Sequence, residues 1–119
     1  MLLHHTCGCI VHISSISVHT GYKGLAMYAS SKGALEAFSK DTAREWGELG
    51  IRSNVVVPGF METAMSSTLS QDQKDRIYKR TSLKKATSIR SVAETVVFLL
   101  SDKACSITGQ NIHVDSGTI

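Results

Sequence analysis

Along the chain, short apolar, β-branched runs alternate with longer stretches of helical spacing. Residues 9–14 crowd their apolar side chains together, as a parallel strand buried on both faces does. Residues 15–25, punctuated by Gly21 and Gly24, predict a loop. From 27 to 49 the period lengthens to that of a helix, with Leu35, Phe38, Thr42 and Trp46 on one face and Glu36, Lys40, Arg44 and Glu48 pointing elsewhere. Gly50 is placed to end it in a left-handed cap. Residues 51–57 predict a second strand, stopped by Pro58, which has no N–H to give to a ladder. Strand, long helix and strand, joined so tightly at Gly50, make a βαβ unit, which implies parallel strands and a right-handed crossover.

Two capping boxes follow. Ser70 with Gln73, and Ser91 with Glu94, predict helices that begin near 71 and 92. The second helix puts Val92, Val96, Leu99 and Leu100 on one stripe. Gly109 then opens a last strand at 110–115, in which Ile112 and Val114 alternate with His113 and Asp115.

The 119 residues are enough for one domain, and 42% hydrophobic content with a single proline excludes disordered and collagen-like classes. The longest apolar run, at 96–100, is far too short to span a bilayer, and the amino end lacks the basic region of a signal peptide. A cytoplasmic protein without a membrane partner is therefore expected. The net charge of +3 is local, since Arg76, Lys79, Arg80, Lys84, Lys85 and Arg90 occupy a segment without acids. With only Tyr78 as a stacking platform, that segment reads as a solvated basic surface and not as a nucleic-acid site. Three cysteines, with Cys7 and Cys9 too close to staple a fold, imply reduced thiols. His4, His5, Cys7, Cys9 and His12 invite a zinc reading, but no second C-x-x-C or H-x-x-x-H supports it, and no metal is assigned.

Three groups of residues carry candidate chemistry. Tyr28 and Lys32 lie four apart near the start of the long helix, hence on one face, where an ammonium beside a phenol favours the phenolate and makes a usable general acid. Ser15 follows the first strand, at the carboxyl edge where open α/β sheets bind ligands. Pro58, Gly59, Phe60, Met61, Glu62 and Thr63 leave the next strand at that same edge, where backbone amides and the Thr63 hydroxyl could grip a polar cofactor.

Together these segments carry a resemblance. I-S-S at 13–15, Y-A-S-S-K at 28–32, N-V-V-V-P-G-F at 54–60 and I-T-G-Q-N-I-H-V-D at 107–115 resemble the short-chain dehydrogenase/reductase family, most closely its 3-oxoacyl-acyl-carrier-protein reductases of fatty acid biosynthesis. The step from Ser15 to Tyr28 is the family's usual interval between its serine and tyrosine. The resemblance implies an α/β fold, the C-terminal part of a Rossmann-like doubly wound parallel sheet with the N-terminal nucleotide-binding half missing. It implies hydride transfer between NADP or NAD and a carbonyl or acyl-thioester substrate, Tyr28 giving the proton. Ser15 would orient the carbonyl oxygen. Lys32 would support Tyr28 and, with it, hold the nicotinamide ribose. Phe60, Met61 and Thr63 would hold the carboxamide, with Pro58 and Gly59 shaping their turn. Residues after Thr63 through Arg80 would form the substrate lid, and helix 27–49 with strand 110–115 would form homo-oligomer contacts.

The family pattern also breaks. No T-G-x-x-x-G-x-G loop, N-N-A-G strand end or catalytic asparagine lies ahead of Ser15. His12 stands where asparagine is common, Ser116 interrupts the V-D-G-G ending, and Lys84-Lys85 replaces a frequent glycine-arginine step. Without a phosphate cradle the polypeptide by itself is expected to be inactive, with an open edge on its first strand. The alternative function is that of a catalytically dead truncated remnant acting, if at all, through association with full-length relatives.

Overall fold

A computed structural model describes residues 8–119. The first strand, β1 (Gly8–Ile13), leads through a four-residue helix, α1 (Ser17–Thr20), to the long helix α2 (Ala26–Trp46), which tightens into a 3-10 turn at Gly47–Leu49. Then come β2 (Ile51–Pro58), a 3-10 turn at Ala64–Ser66, α3 (Gln71–Lys79), α4 (Ile89–Leu100), a 3-10 turn at Asp102–Ala104 and β3 (Asn111–Val114). The three strands form one parallel sheet in the order β1-β2-β3. Gly8 pairs with Ile51 and Ile13 with Val56 on one side of β2, and Val55 with Asn111 on the other.

β2 is the centre of the molecule, and its residues from Ser53 to Val57 are fully buried. Its side chains alternate between two layers, as the pleat requires. Val56 joins Val92, Leu99 and Ala104 on the α4 face, with Val11, Ile112 and Val114 from the flanking strands. Val55 and Val57 join Ile16 on the other face. There the contact with α2 is polar: Ser39 Oγ and Thr42 Oγ1 lie 2.9 and 3.2 Å from Ser53 Oγ. Helices therefore cover both faces of a parallel sheet, the α/β layering expected from the sequence. Gly50 adopts the left-handed cap (φ 77°), its N–H donating to Gly47 O.

Several boundaries and faces differ from expectation. The first strand stops at Ile13, although Ser14 N still donates to Val56 O at 2.9 Å, and the expected loop at 15–25 contains α1. α2 buries Ser39, Thr42 and Ala43, whereas Phe38 is 52% exposed. Small side chains let the helix sit close over Ser53, and the hydroxyls pair, so burial follows polar complementarity here and not apolar spacing. Glu36 and Lys40 do not point away: Glu36 accepts from three side chains, and Lys40 Nζ donates to Gly109 O at 2.7 Å. The last helix is capped by Ser88, whose Oγ accepts from Ser91 N, and not by Ser91. Ser91 is the third residue of that helix, its N–H already taken by Ser88, while Glu94 pairs with Arg90 Nε at 2.8 Å, one turn back. Leu100 is half exposed and lies off the buried stripe. The last strand is shorter than expected, and Asp115 is buried just beyond it, accepting from the amides of Gly117 and Ile119.

Among the described residues β1 pairs with β2 alone, so its other edge is open, and Ile13 is 41% exposed there. His12 packs edge-on against Phe38, its Nε2 buried without a partner among those residues. No helix of the described residues is long and apolar enough to cross a membrane. His4, His5 and Cys7 of the zinc reading lie outside them; within them, no three potential ligands converge on a metal site.

Candidate active site

The carboxyl ends of β1 and β2 are laced together. Ser14 N donates to Val56 O and Ile16 N to Pro58 O at 3.1 Å, which sets Ser15 beside the turn at Pro58. Ser15 Oγ accepts from Ser17 N at 3.1 Å and from Ser17 Oγ at 3.0 Å. Both interactions use its lone pairs and leave its own proton free for an outside acceptor.

Tyr28 and Lys32 stand on the first turns of α2, as their spacing requires. Lys32 Nζ lies 5.9 Å from the centroid of the Tyr28 ring and donates to Ile13 O at 3.1 Å. One ammonium thus joins the phenol to the strand end that carries Ser15. Among the described residues no hydrogen bond links the side chains of Ser15, Tyr28 and Lys32 directly, and Tyr28 is 48% exposed.

The segment leaving β2 is held by its backbone. Gly59 N donates to Val114 O at 2.9 Å, and Phe60 O accepts from Thr87 N at 2.8 Å. Gly59 presses so closely on the chain just beyond β3 that a β-carbon there would lie 2.7 Å from Asp115 Cα, a contact only glycine avoids. Met61 packs into the α4-side core, and Thr63 N donates to Ser66 Oγ in the next turn. Among the described residues, the amides of Phe60, Met61 and Glu62 meet no protein acceptor. A row of free amides beside a threonine offers hydrogen-bond donors, and one hydroxyl that can also accept, to a polar ligand.

Beyond this loop, α3 is tied back by a cluster that sequence reasoning missed. The Tyr78 hydroxyl donates to Glu62 Oε1, Lys74 Nζ lies 3.6 Å from the same oxygen, and the Tyr78 ring packs on Phe60 at 6.1 Å. The hydrogen bond to Glu62, aided by burial, pushes the Tyr78 phenol up to about 12, while that bond and the Lys74 charge hold Glu62 below its ordinary 4.5. The raised phenol stabilises the tie fully below its unfolded value of about 10, and that contribution is lost as pH rises through about 12. The lowered carboxyl contributes above its unfolded value and loses that contribution as pH falls through its lowered one. Phenolate absorbance should therefore show one tyrosine titrating near 12, and Glu62→Gln should bring it back towards 10.

Ser17 and Glu36 were also missed. Glu36 continues the i,i+4 series of Tyr28 and Lys32, the one signal that could have found it. A cavity of about 580 Å³ opens at the opposite edge of the sheet, lined by Gly8, Cys9, Arg52, Asp102 and Cys105, away from all of these groups.

The family model described as Enoyl-(Acyl carrier protein) reductase matches residues 1–118. The chain belongs to the short-chain dehydrogenase/reductase family. A crystal structure of a short-chain dehydrogenase/reductase from Brucella melitensis, described as a glucose/ribitol dehydrogenase, is similar with a TM-score of 0.86 and 32% identity, over 93% of this chain and 45% of that one. The 3-oxoacyl-[acyl-carrier-protein] reductase FabG of Salmonella typhimurium is 42% identical over 111 residues, which are 93% of this chain and 46% of that protein. The Staphylococcus epidermidis FabG is 40% identical over 116 residues, 98% of this chain and 48% of that protein. This short-chain dehydrogenase/reductase chain thus spans a little under half the length of the curated relatives it matches.

Proposed function

We propose that this chain carries the proton-transfer groups and the nicotinamide-facing loop of an NAD(P)-dependent reductase acting on a ketone, with a 3-oxoacyl thioester as substrate class. The observation that supports it best is Lys32, which lies beside the Tyr28 ring while its ammonium donates to Ile13 O, two residues before Ser15. When bound, NADPH or NADH supplies the hydride. Tyr28 gives a proton to the carbonyl oxygen, and the free proton of Ser15 hydrogen-bonds and orients that oxygen. Lys32 steadies the negative charge left on Tyr28. Its two remaining N–H donors suit the ribose hydroxyls. The amides of Phe60 and Met61 and the Thr63 hydroxyl hold the carboxamide, with Pro58 and Gly59 fixing their turn.

The 119 residues alone are expected to bind NADPH too weakly to work, since no glycine-rich loop among them cradles a pyrophosphate. Losing about three charge-assisted hydrogen bonds at about 1.5–3 kcal/mol each weakens affinity by several orders of magnitude. Titration calorimetry of the polypeptide with NADPH should show no saturable heat. Fused behind the part of the Salmonella FabG that it does not match, it should bind NADPH and reduce a 3-oxoacyl thioester. A folded fusion that binds NADPH without turnover would favour the remnant reading and sink this one.

A further inference from the structure

We infer that Glu36 is a positioning residue that holds Ser15 in place against Lys32, from one helical turn beyond the lysine. The inference rests on the proposed roles of Ser15 and Lys32, but the geometry that carries it involves neither side chain's chemistry.

Ser15 sits at the mouth of α1, a helix of four residues whose N-cap, Ile16, supplies no side-chain hydrogen bond. One turn cannot repay its own nucleation, so α1 keeps its place only through ties to the rest of the molecule. Ile16 anchors its start in the β2 core, and Glu36 ties down its far end through His19 and the residue ahead of Ser15, Ser14. The Glu36 carboxylate, with only 10% of the side chain exposed, accepts from Ser14 Oγ at 2.5 Å, from Asn111 Nδ2 at 2.8 Å and from His19 Nε2 at 3.0 and 3.1 Å. Both oxygens are engaged, and the partners come from the end of β1, from α1 and from β3.

The arrangement brackets the serine. Ser14 precedes Ser15 directly, and His19, four residues on, lies at the other end of α1; the His19 ring also meets His113 of β3 edge-on at 4.9 Å. On the α2 side, Lys32 Nζ holds Ile13 O, and Ser14 Oγ reaches Lys32 O at 3.5 Å. The junction carrying Ser15 is therefore pinned to α2 at two successive turns, by Lys32 and by Glu36. A carboxylate is suited to the second pin because it can accept several donors at once in directions that fix them. Removing it releases the far end of α1 at His19 and the Ser14 pin, while Ile16 and the β2 core, which it does not touch, stay in place.

The test is amide hydrogen exchange by NMR on the full 119-residue chain, as wild type, Glu36→Ala and Glu36→Gln. In Glu36→Ala the amides of Ser17, Val18 and His19 should exchange about tenfold faster or more, through local opening, while those of Val55 and Val57 in β2 keep their protection. The Ser15 amide and the Lys32 ε-methylene resonances should broaden together. Glu36→Gln, which keeps one acceptor oxygen, should restore much of the protection. Exchange that rises equally in β2 and α1 means a general stability role and overturns the inference. So does an unchanged α1 in Glu36→Ala, or a wild-type chain in which α1 is unprotected. Failure of the proposed chemistry is a separate result: it would appear as an unaffected Tyr28→Phe reductase, with these exchange patterns intact.

Discussion

Tyr28→Phe should remove turnover almost completely while leaving the fold as it is. In the reductase fusion the expected loss in kcat is about 10²–10⁴-fold, the range that a positioned proton donor contributes. The size of the effect follows from how little else changes. The substitution deletes one oxygen from a side chain that is 48% exposed, so neither a cavity nor a buried unpaired group results. The ring stays on the first turn of α2, and Lys32 still lies beside it and still donates to Ile13 O, because that bond does not involve the phenol. Thermal unfolding should therefore match that of the parent within error, and the NADPH dissociation constant should rise only by the loss of one ribose contact. Ser15→Ala should cost less, since it removes an orienting hydrogen bond and not the proton itself. If Tyr28→Phe kept more than about a tenth of the activity, a general-acid contribution of that size would be excluded and the proton would have to come from elsewhere.

The parts of the molecule that were legible in advance are those whose signal is local. The run from Ile51 to Pro58 announces a buried strand and its end; Gly50 announces a left-handed cap; Ser70 and Gln73 close the box their spacing predicts. The inner face of α2 was misread because it obeys a different rule. Ser39, Thr42 and Ser53 satisfy one another's hydroxyls, and a search for apolar spacing selects Phe38 instead, which faces outward. The last helix starts three residues ahead of the expected box because Ser88 accepts from the Ser91 amide and so makes Ser91 an interior residue. In the site, the placing of Ser15, Tyr28 and Lys32 at one sheet edge could be reasoned from strand ends and helix periodicity. The bond that ties Lys32 to the end of β1 could not, because its acceptor, Ile13 O, is backbone and leaves no mark on the sequence. The same holds for Tyr78 and Glu62, sixteen residues apart, and for Glu36 and Asn111, whose contacts exist only once three elements have converged.

Asn54→Ala is expected to damage the fold by about 2–4 kcal/mol, the cost of a lost buried hydrogen-bonding side chain together with the small cavity it leaves. Asn54 is fully buried at the centre of β2, where composition alone would favour another valine. Its Nδ2 donates to Ile107 O at 2.9 Å and its Oδ1 accepts from Gln110 N at 3.1 Å, so one amide grips both ends of the turn that leads into β3. Arg52 Nη1 also reaches Ile107 O, at 3.2 Å, and would keep that carbonyl satisfied in the variant. Gln110 N has no such reserve, and its desolvation makes up much of the penalty. The neighbouring bonds, Gly109 N to Ser53 O and Val55 N to Gln110 O, depend on the same turn geometry. β3 in turn supplies Val114 O to Gly59, so the loop at 58–63 should loosen along with it. Urea unfolding should show a lower midpoint at an unchanged m-value, and Asn54→Asp, which keeps the acceptor for Gln110 N but sets an oxygen against Ile107 O, should fall no closer to wild type than about 1 kcal/mol. A shift of less than about 1 kcal/mol for Asn54→Ala would mean that the turn holds without its clamp, through Thr108 Oγ1 on Ser53 N and the backbone pairs alone.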